Sequence, residues 1–219
     1  MLPRVLETEA MDTPDEALDY DSMDHAEVNR AFVTDLLAAG PQNGEILDLG
    51  TGTAQIPIEL CRRLPAARVL AVDAAEHMVQ IGRHNVHQAG LDNRVRLEQV
   101  DGKRLPYGDG RFTTVMSNSI VHHIPEPRHV LGEAWRVTAP GGLLFFRDLF
   151  RPEDDATVVR LVDTYAAGAN RHQRQMFEDS LRAGLTVDEM RQLIAELAKD
   201  PGTVRATTDR HWTWVARKS

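Results

Sequence analysis

The chain has 219 residues, with 33 Asp and Glu against 25 Lys and Arg, a formal net charge of −8. Nine acids and one base, Arg4, fall between Met1 and Glu27, so that stretch alone carries −8 and the chain from residue 30 onward is neutral. This excludes a domain that is acidic throughout, and it removes the simplest support for nucleic-acid binding by positive potential. The lone cysteine, Cys61, excludes an intramolecular disulfide and a cysteine-based zinc site. No apolar run approaches the roughly 20 residues of a membrane span, and Met1 to Ala10 has no basic region followed by an apolar one. A single cytoplasmic domain is expected, with no membrane partner and a homodimer left open.

After the acidic arm, Asp24-His-Ala-Glu27 predicts a capping box, and Val28, Phe32 and Leu36 recur at helical spacing until Gly40-Pro41. Strands are then expected at Glu45 to Leu49, Arg68 to Asp73, Val95 to Val100, Phe112 to Ser117 and Gly142 to Leu149. Helical stretches fall between them at about 56–64, 76–90 and 127–137, with Gly90 as a C-terminal cap. Such alternation argues for a parallel sheet covered on both faces. Beyond Leu149, three helices are expected at Asp155 to Ala167, His172 to Ala183 and Thr186 to Lys199. A hairpin of Val204 to Thr207 and His211 to Arg217 follows, turned at Thr208-Asp209-Arg210.

The segment that carries the most chemistry is Glu45-Ile-Leu-Asp-Leu-Gly-Thr-Gly-Thr-Ala54, an apolar strand running into a glycine turn and then a helix. Glycine at 50 and 52 permits left-handed dihedrals and close approach of a ligand to the backbone. In a doubly wound sheet that loop lies at the carboxyl edge, where ligands bind. A dinucleotide fingerprint would want Gly or Ala at the sixth position from Gly50, and Gln55 stands there. What is present instead is Asp48-x-Gly50-x-Gly52-x-Ala54, with an acid ahead of the glycines.

In this motif the chain resembles the class I S-adenosylmethionine-dependent methyltransferases, with Ala54 replacing a third glycine. The resemblance implies S-adenosylmethionine as cofactor and a Rossmann-like, doubly wound seven-stranded α/β sheet with an antiparallel last strand. It places residues 1–40 as an acidic arm and lid helix, 41–219 as the methyltransferase domain, and 150–203 as a helical substrate-side insertion. Asp73, ending the second strand, would accept hydrogen bonds from the ribose hydroxyls. Met78 would pack against the adenine, and Asp101 with Gly102 would meet its amino edge. Asp48, Gly50, Thr51, Gly52, Ala74 and Asn118 complete the expected cofactor contacts, with Tyr20 in the lid.

The fourth strand leads into Met116-Ser-Asn-Ser-Ile-Val-His-His-Ile-Pro125. Methyl transfer needs alignment and desolvation above all, and acid-base help only where the acceptor carries a proton. Histidine suits that task, so His122 or His123 is expected to take the acceptor proton or orient the acceptor. The His-His pair with a later Asp148 is similar to small-molecule methyltransferases that modify natural-product sugars, which implies that Asp148 orients the imidazole. The expected reaction is methylation of a small molecule, with oxygen slightly ahead of nitrogen or carbon. Ser117-Asn118-Ser119-Ile120 lacks the prolines and aromatic residue of base-modifying enzymes. His84 and His87 share a helix face without a third ligand, so no metal is expected. The competing readings are a nucleotide-dependent oxidoreductase and a binding module without catalysis.

Overall fold

The computed structural model describes residues 1–7 and 12–219. Seven strands form one sheet in the order β3-β2-β1-β4-β5-β7-β6. They are β1 (Glu45–Leu49), β2 (Arg68–Asp73), β3 (Val95–Gln99), β4 (Phe112–Asn118), β5 (Thr138–Leu149), β6 (Val204–Ala206) and β7 (His211–Arg217). The β1 strand pairs in parallel with β2 and β4, and β2 with β3, while β6 and β7 form the antiparallel hairpin at the far edge. The expected Rossmann-like sheet is therefore present. Its parallel strands read as continuous apolar runs because both faces are covered: Ile46, Leu47 and Leu49 of β1 are all buried.

Contacts cluster into two compact units. The first holds Ala10–Asn118, His129–Phe146 and Val215–Ser219. Its core joins Phe32, Val33 and Leu36 of α2 (Ala26–Ala38) to Ile46, Ala71 and Phe145, with Phe32 and Phe145 in edge-to-face contact at 5.2 Å. The helices α3 (Gln55–Arg63), α4 (Glu76–Gln88) and α5 (Arg128–Val137) follow the expected spacing. At the end of α4, Gly90 adopts φ 68° and its amide reaches the His87 carbonyl, the predicted left-handed cap.

The second unit holds Ser119–Arg128 and Arg147–Trp214 together with the first residues of the chain. Here α6 (Asp155–Tyr165), α7 (Arg171–Ala183) and α8 (Val187–Glu196) surround a core of Leu149, Val158, Leu161 and Leu181. Capping boxes open α7 at Asn170 with Gln173 and α8 at Thr186 with Glu189. Arg174 of α7 pairs with Asp163 of α6.

The N-terminal region departs from expectation twice. Two helices precede the sheet rather than one, because α1 (Pro14–Ser22) forms behind a capping box of Thr13 and Glu16 with Pro14 at its first position. The box expected at Asp24 and Glu27 is absent: Asp24 Oδ1 accepts from the Ala26 amide, and His25, which stands at the cap, offers no side-chain bond. Several acids of the arm are also engaged. Asp12 meets His77 at 3.1 Å, and Asp21 accepts from Gln55 and Asn85. Glu9 lies outside the described residues.

Candidate active site

In the first unit, the turn after β1 is built by backbone conformation. Gly50 and Gly52 take φ 69° and 54°, and the amides of Gly50 and Thr51 both reach the Val72 carbonyl at 2.9 Å. Ala54 sits at φ 65°, which gives the physical reason that a glycine is used there in the resembled motif. Left-handed alanine costs about 1–2 kcal/mol, partly offset because glycine loses more entropy on folding. Ala54→Gly is therefore expected to leave stability unchanged or raise it by up to about 1 kcal/mol in urea unfolding. A clear loss would mean that the buried Ala54 methyl matters more than its dihedral.

Asp73 pins this loop from the next strand. Its Oδ2 accepts from the Gly52 amide at 2.8 Å and its Oδ1 from the Ala75 amide at 3.0 Å. A recess beside the loop is lined by Tyr20, His25, Asn29, Asp48, Gly50, Thr51, Thr53, Gln55, Ile56 and Asn118. Of the expected cofactor residues, it gathers Tyr20, Asp48, Gly50, Thr51 and Asn118. His25, Asn29, Thr53, Gln55 and Ile56 join them without having been expected there. Gly52 and Asp73 stand just behind in the loop network. Met78 is buried against Ala17 and Ala75, with Tyr20 packed on them, and Ala74 is exposed. Asp101 is exposed at the end of β3, where its Oδ1 accepts from the Lys103 amide and pairs with that residue's ammonium, and Gly102 follows it in the turn.

The recess fits a cationic, hydrogen-bonding ligand. Asp48 Oδ2, Thr51 Oγ1 and Asn118 Oδ1 are buried and find no hydrogen-bond partner among the described residues, a costly arrangement unless a ligand or water completes it. Burial pushes the Asp48 carboxyl up to about 7; the nearby Thr51 hydroxyl holds it down in part without reaching hydrogen-bond geometry, and Asp73 adds to the rise. Tyr20 of α1 forms one wall of this recess, and α1 is tied to Gln55 and Asn85 through Asp21.

The second unit holds the histidine cluster. Beyond β4, Ser119 takes φ 60°, a strained dihedral for a residue with a side chain. A short 3-10 turn, Val121–His123, comes next. Asp148 of β5 is fully buried and holds both the turn and the imidazole. Its Oδ2 accepts from the Val121 amide at 2.5 Å and the His122 amide at 3.3 Å, capping the turn, while Oδ1 lies 2.5 Å from His122 Nδ1. Burial alone would push the His122 imidazole down, but Asp148 and Glu7 more than reverse this and hold its pKa above the ordinary value. His123 stacks on His122 with ring centroids 4.1 Å apart.

Glu7 is the functional candidate that the sequence pattern did not reveal. Its Oε1 lies 3.3 Å from His122 Nε2 and 3.2 Å from His123 Nδ1, and its carboxylate accepts from the Ser180 hydroxyl. Arg4 fixes the segment by donating to the carbonyls of His122, Ile124 and Ala183, while the Val5 amide reaches the Arg182 carbonyl. Burial raises the Glu7 pKa, and His122 opposes the rise. The three residues bring their ligand atoms within 4.8 Å of one another. The expectation of no metal centre rested on His84 and His87, which are exposed on α4 with His87 beside Asp92; it did not consider this cluster, whose third member comes from a distant segment.

Residues 46–142 match the family described as methyltransferase domain. A demethylmenaquinone methyltransferase of Porphyromonas gingivalis is 34% identical over 108 residues, covering 49% of this chain and 44% of the relative. A malonyl-[acyl-carrier protein] O-methyltransferase of Geobacter sulfurreducens is 31% identical over 179 residues, covering 77% and 64%. The chain thus spans between 44% and 64% of the length of these curated relatives. Among solved structures, a SAM-dependent methyltransferase of Aquifex aeolicus superposes with a TM-score of 0.68 at 18% identity, over 94% of this chain and 99% of that one. Glycine turn, strand order and sequence likeness agree: residues 46–142 match the methyltransferase-domain family, and the chain has the fold of the SAM-dependent methyltransferases of known structure.

Proposed function

We propose that this chain transfers the methyl group of S-adenosylmethionine to an oxygen of a small-molecule acceptor. The observation that carries the reading is the buried His122–Asp148 pair, 2.5 Å apart and a few residues beyond Asn118 at the end of β4. The cofactor supplies a methyl carbon bonded to a positively charged sulfur, which an acceptor attacks directly. Everything else falls to the chain. Asp48 and Asn118 would hold the cofactor's ammonium, Asp73 its ribose hydroxyls and Asp101 its adenine amino edge. Gly50, Thr51 and Gly52 would present backbone to it, with Ala74, Met78 and Gly102 around the adenine and Tyr20 closing over it.

Asp148 would hold the proton on His122 Nδ1, and Nε2, paired with Glu7, would take the acceptor proton once its own has passed to that carboxylate. A hydroxyl gains most from such help, because losing its proton as it attacks turns a weak nucleophile into a strong one. His123, stacked alongside, would orient the acceptor. The relatives named above, a demethylmenaquinone methyltransferase and a malonyl-[acyl-carrier protein] O-methyltransferase, differ in acceptor, so its identity is left to experiment. The reading is tested with methyl-labelled S-adenosylmethionine and a panel of sugars, phenols, quinols and carboxylic acids. O-methyl product that disappears in His122→Ala is expected; a carbon-methylated product by NMR would move the acceptor atom. Tight cofactor binding with no S-adenosylhomocysteine formed across the panel would favour the binding module instead.

Asp73→Ala should weaken S-adenosylhomocysteine binding by about 10–100-fold, the worth of hydrogen bonds to a charged group, with the loop anchor at Gly52 lost as well. Calorimetry showing unchanged affinity would remove the ribose assignment.

A further inference from the structure

We propose that Glu7, His122 and His123 form a binding site for a divalent transition-metal ion of the zinc class. Three observations converge on it. First, the donor atoms are a carboxylate oxygen and two imidazole nitrogens, the set used where three protein ligands leave one position open. Their spacing suits a shared ion: Glu7 Oε1 lies 3.3 Å from His122 Nε2 and 3.2 Å from His123 Nδ1. Bonds of about 2.1 Å at tetrahedral angles place ligand atoms about 3.4 Å apart. The two nitrogens lie within 4.8 Å of each other, and modest rotation of the rings closes that edge.

Second, the outer groups are those that orient a metal-binding imidazole. His122 gives its other nitrogen to Asp148, which is itself held by the amides of Val121, His122 and Leu149, so Nε2 is directed at Glu7. Third, the carboxylate is fixed rather than mobile. The Ser180 hydroxyl bonds it, and Arg4 ties its segment to three backbone carbonyls. Two carboxylates, Glu7 and Asp148, at one largely buried centre supply the negative charge a divalent ion needs. Imidazole ligands select zinc and its transition-metal neighbours over magnesium or calcium, which take oxygen.

The inference rests on the proposed function in one respect, that this cluster is the acceptor's site. There the open position would receive the acceptor oxygen, and the ion's charge would lower its pKa. His122 Nε2 would then act as a ligand, and a proton leaving the acceptor would pass to solvent.

Binding is tested on the full chain without any acceptor. Protein stripped with a chelator is titrated with zinc in competition with a chromophoric chelator, and retained metal is counted by mass spectrometry after dialysis. Wild type should retain one equivalent, and Glu7→Gln and His123→Ala should each weaken binding at least about tenfold, with their melting confirming that they fold. A double variant, His84→Ala with His87→Ala, should bind as wild type does. Asp148→Asn should weaken affinity about 10–100-fold, as loss of an outer carboxylate does elsewhere. No retained equivalent, or the same affinity in Glu7→Gln, overturns the site. That failure leaves the methyl-transfer reading intact if His122→Ala still abolishes product formation. Zinc bound as expected alongside an inactive acceptor panel would uphold the site and count against the reading.

Discussion

Replacing Asp48 with Asn is expected to stabilise the free protein at pH 8 while weakening its binding of S-adenosylhomocysteine. The sign follows from where the proton goes. In the unfolded chain this carboxyl ionises near 3.8, whereas in the fold it holds its proton to about 7. The folded state therefore binds more protons between these values, so folding loses stability progressively as pH rises through the window and carries the full penalty above 7. A rise of that size corresponds to a cost on the order of 4 kcal/mol. The amide of Asn carries no charge to desolvate but still needs partners, so a net gain of about 2–4 kcal/mol is expected. In a chain of this length that is a melting-temperature rise of at least about 4 °C. At pH 4 the gain should nearly vanish, because the native carboxyl is then protonated.

Binding runs the opposite way. A carboxylate that pairs with a ligand ammonium must be ionised, so wild-type affinity should climb between pH 6 and 8 and that of the Asn variant should stay flat. Thermal melts at pH 4 and 8, with calorimetry across the same range, check both halves. An equal melting shift at both pH values would show that Asp48 is not held neutral by burial.

Asp148→Ala is expected to cost about 3–5 kcal/mol in urea unfolding, the range for removing one partner of a buried ion pair. One carboxylate accepts from the His122 imidazole and from the amides of Val121, His122 and Leu149. Its loss strands all four donors in a buried position. Asp148→Asn keeps an acceptor oxygen without the charge and should cost roughly half as much, since neutral hydrogen bonds are about half as strong as charge-assisted ones. In both variants the 3-10 turn that presents the histidines should loosen, visible as faster amide exchange at Val121 and His122. A loss under about 1 kcal/mol in the Ala variant would mean that other groups hold the turn.

Much of the cofactor side of the molecule was legible because its signals are local. Strand, glycine turn and helix succeed one another from Glu45 to Arg63, and each is written in residues a few positions apart. Asp48 and Asp73 fall at the carboxyl ends of adjacent strands, so spacing alone brought them together. Helix starts were less legible. Asp24 and Glu27 have the residue types of a capping box but not its geometry, while Thr13 and Glu16, which form one, lie in an acidic stretch that reads as solvated.

By itself, the sequence determined the sheet, the glycine loop and the residues that make its edge, because hydrophobic period and turn chemistry depend on near neighbours. Only the tertiary structure decided that Glu7 stands between His122 and His123, more than a hundred residues away in sequence. Arg4 achieves this through backbone carbonyls, which every residue possesses and no sequence pattern marks. It also decided that Asp48 is held near neutrality and that Asp148 both caps a turn and directs an imidazole. Those properties come from burial and convergence, which exist only once distant segments pack.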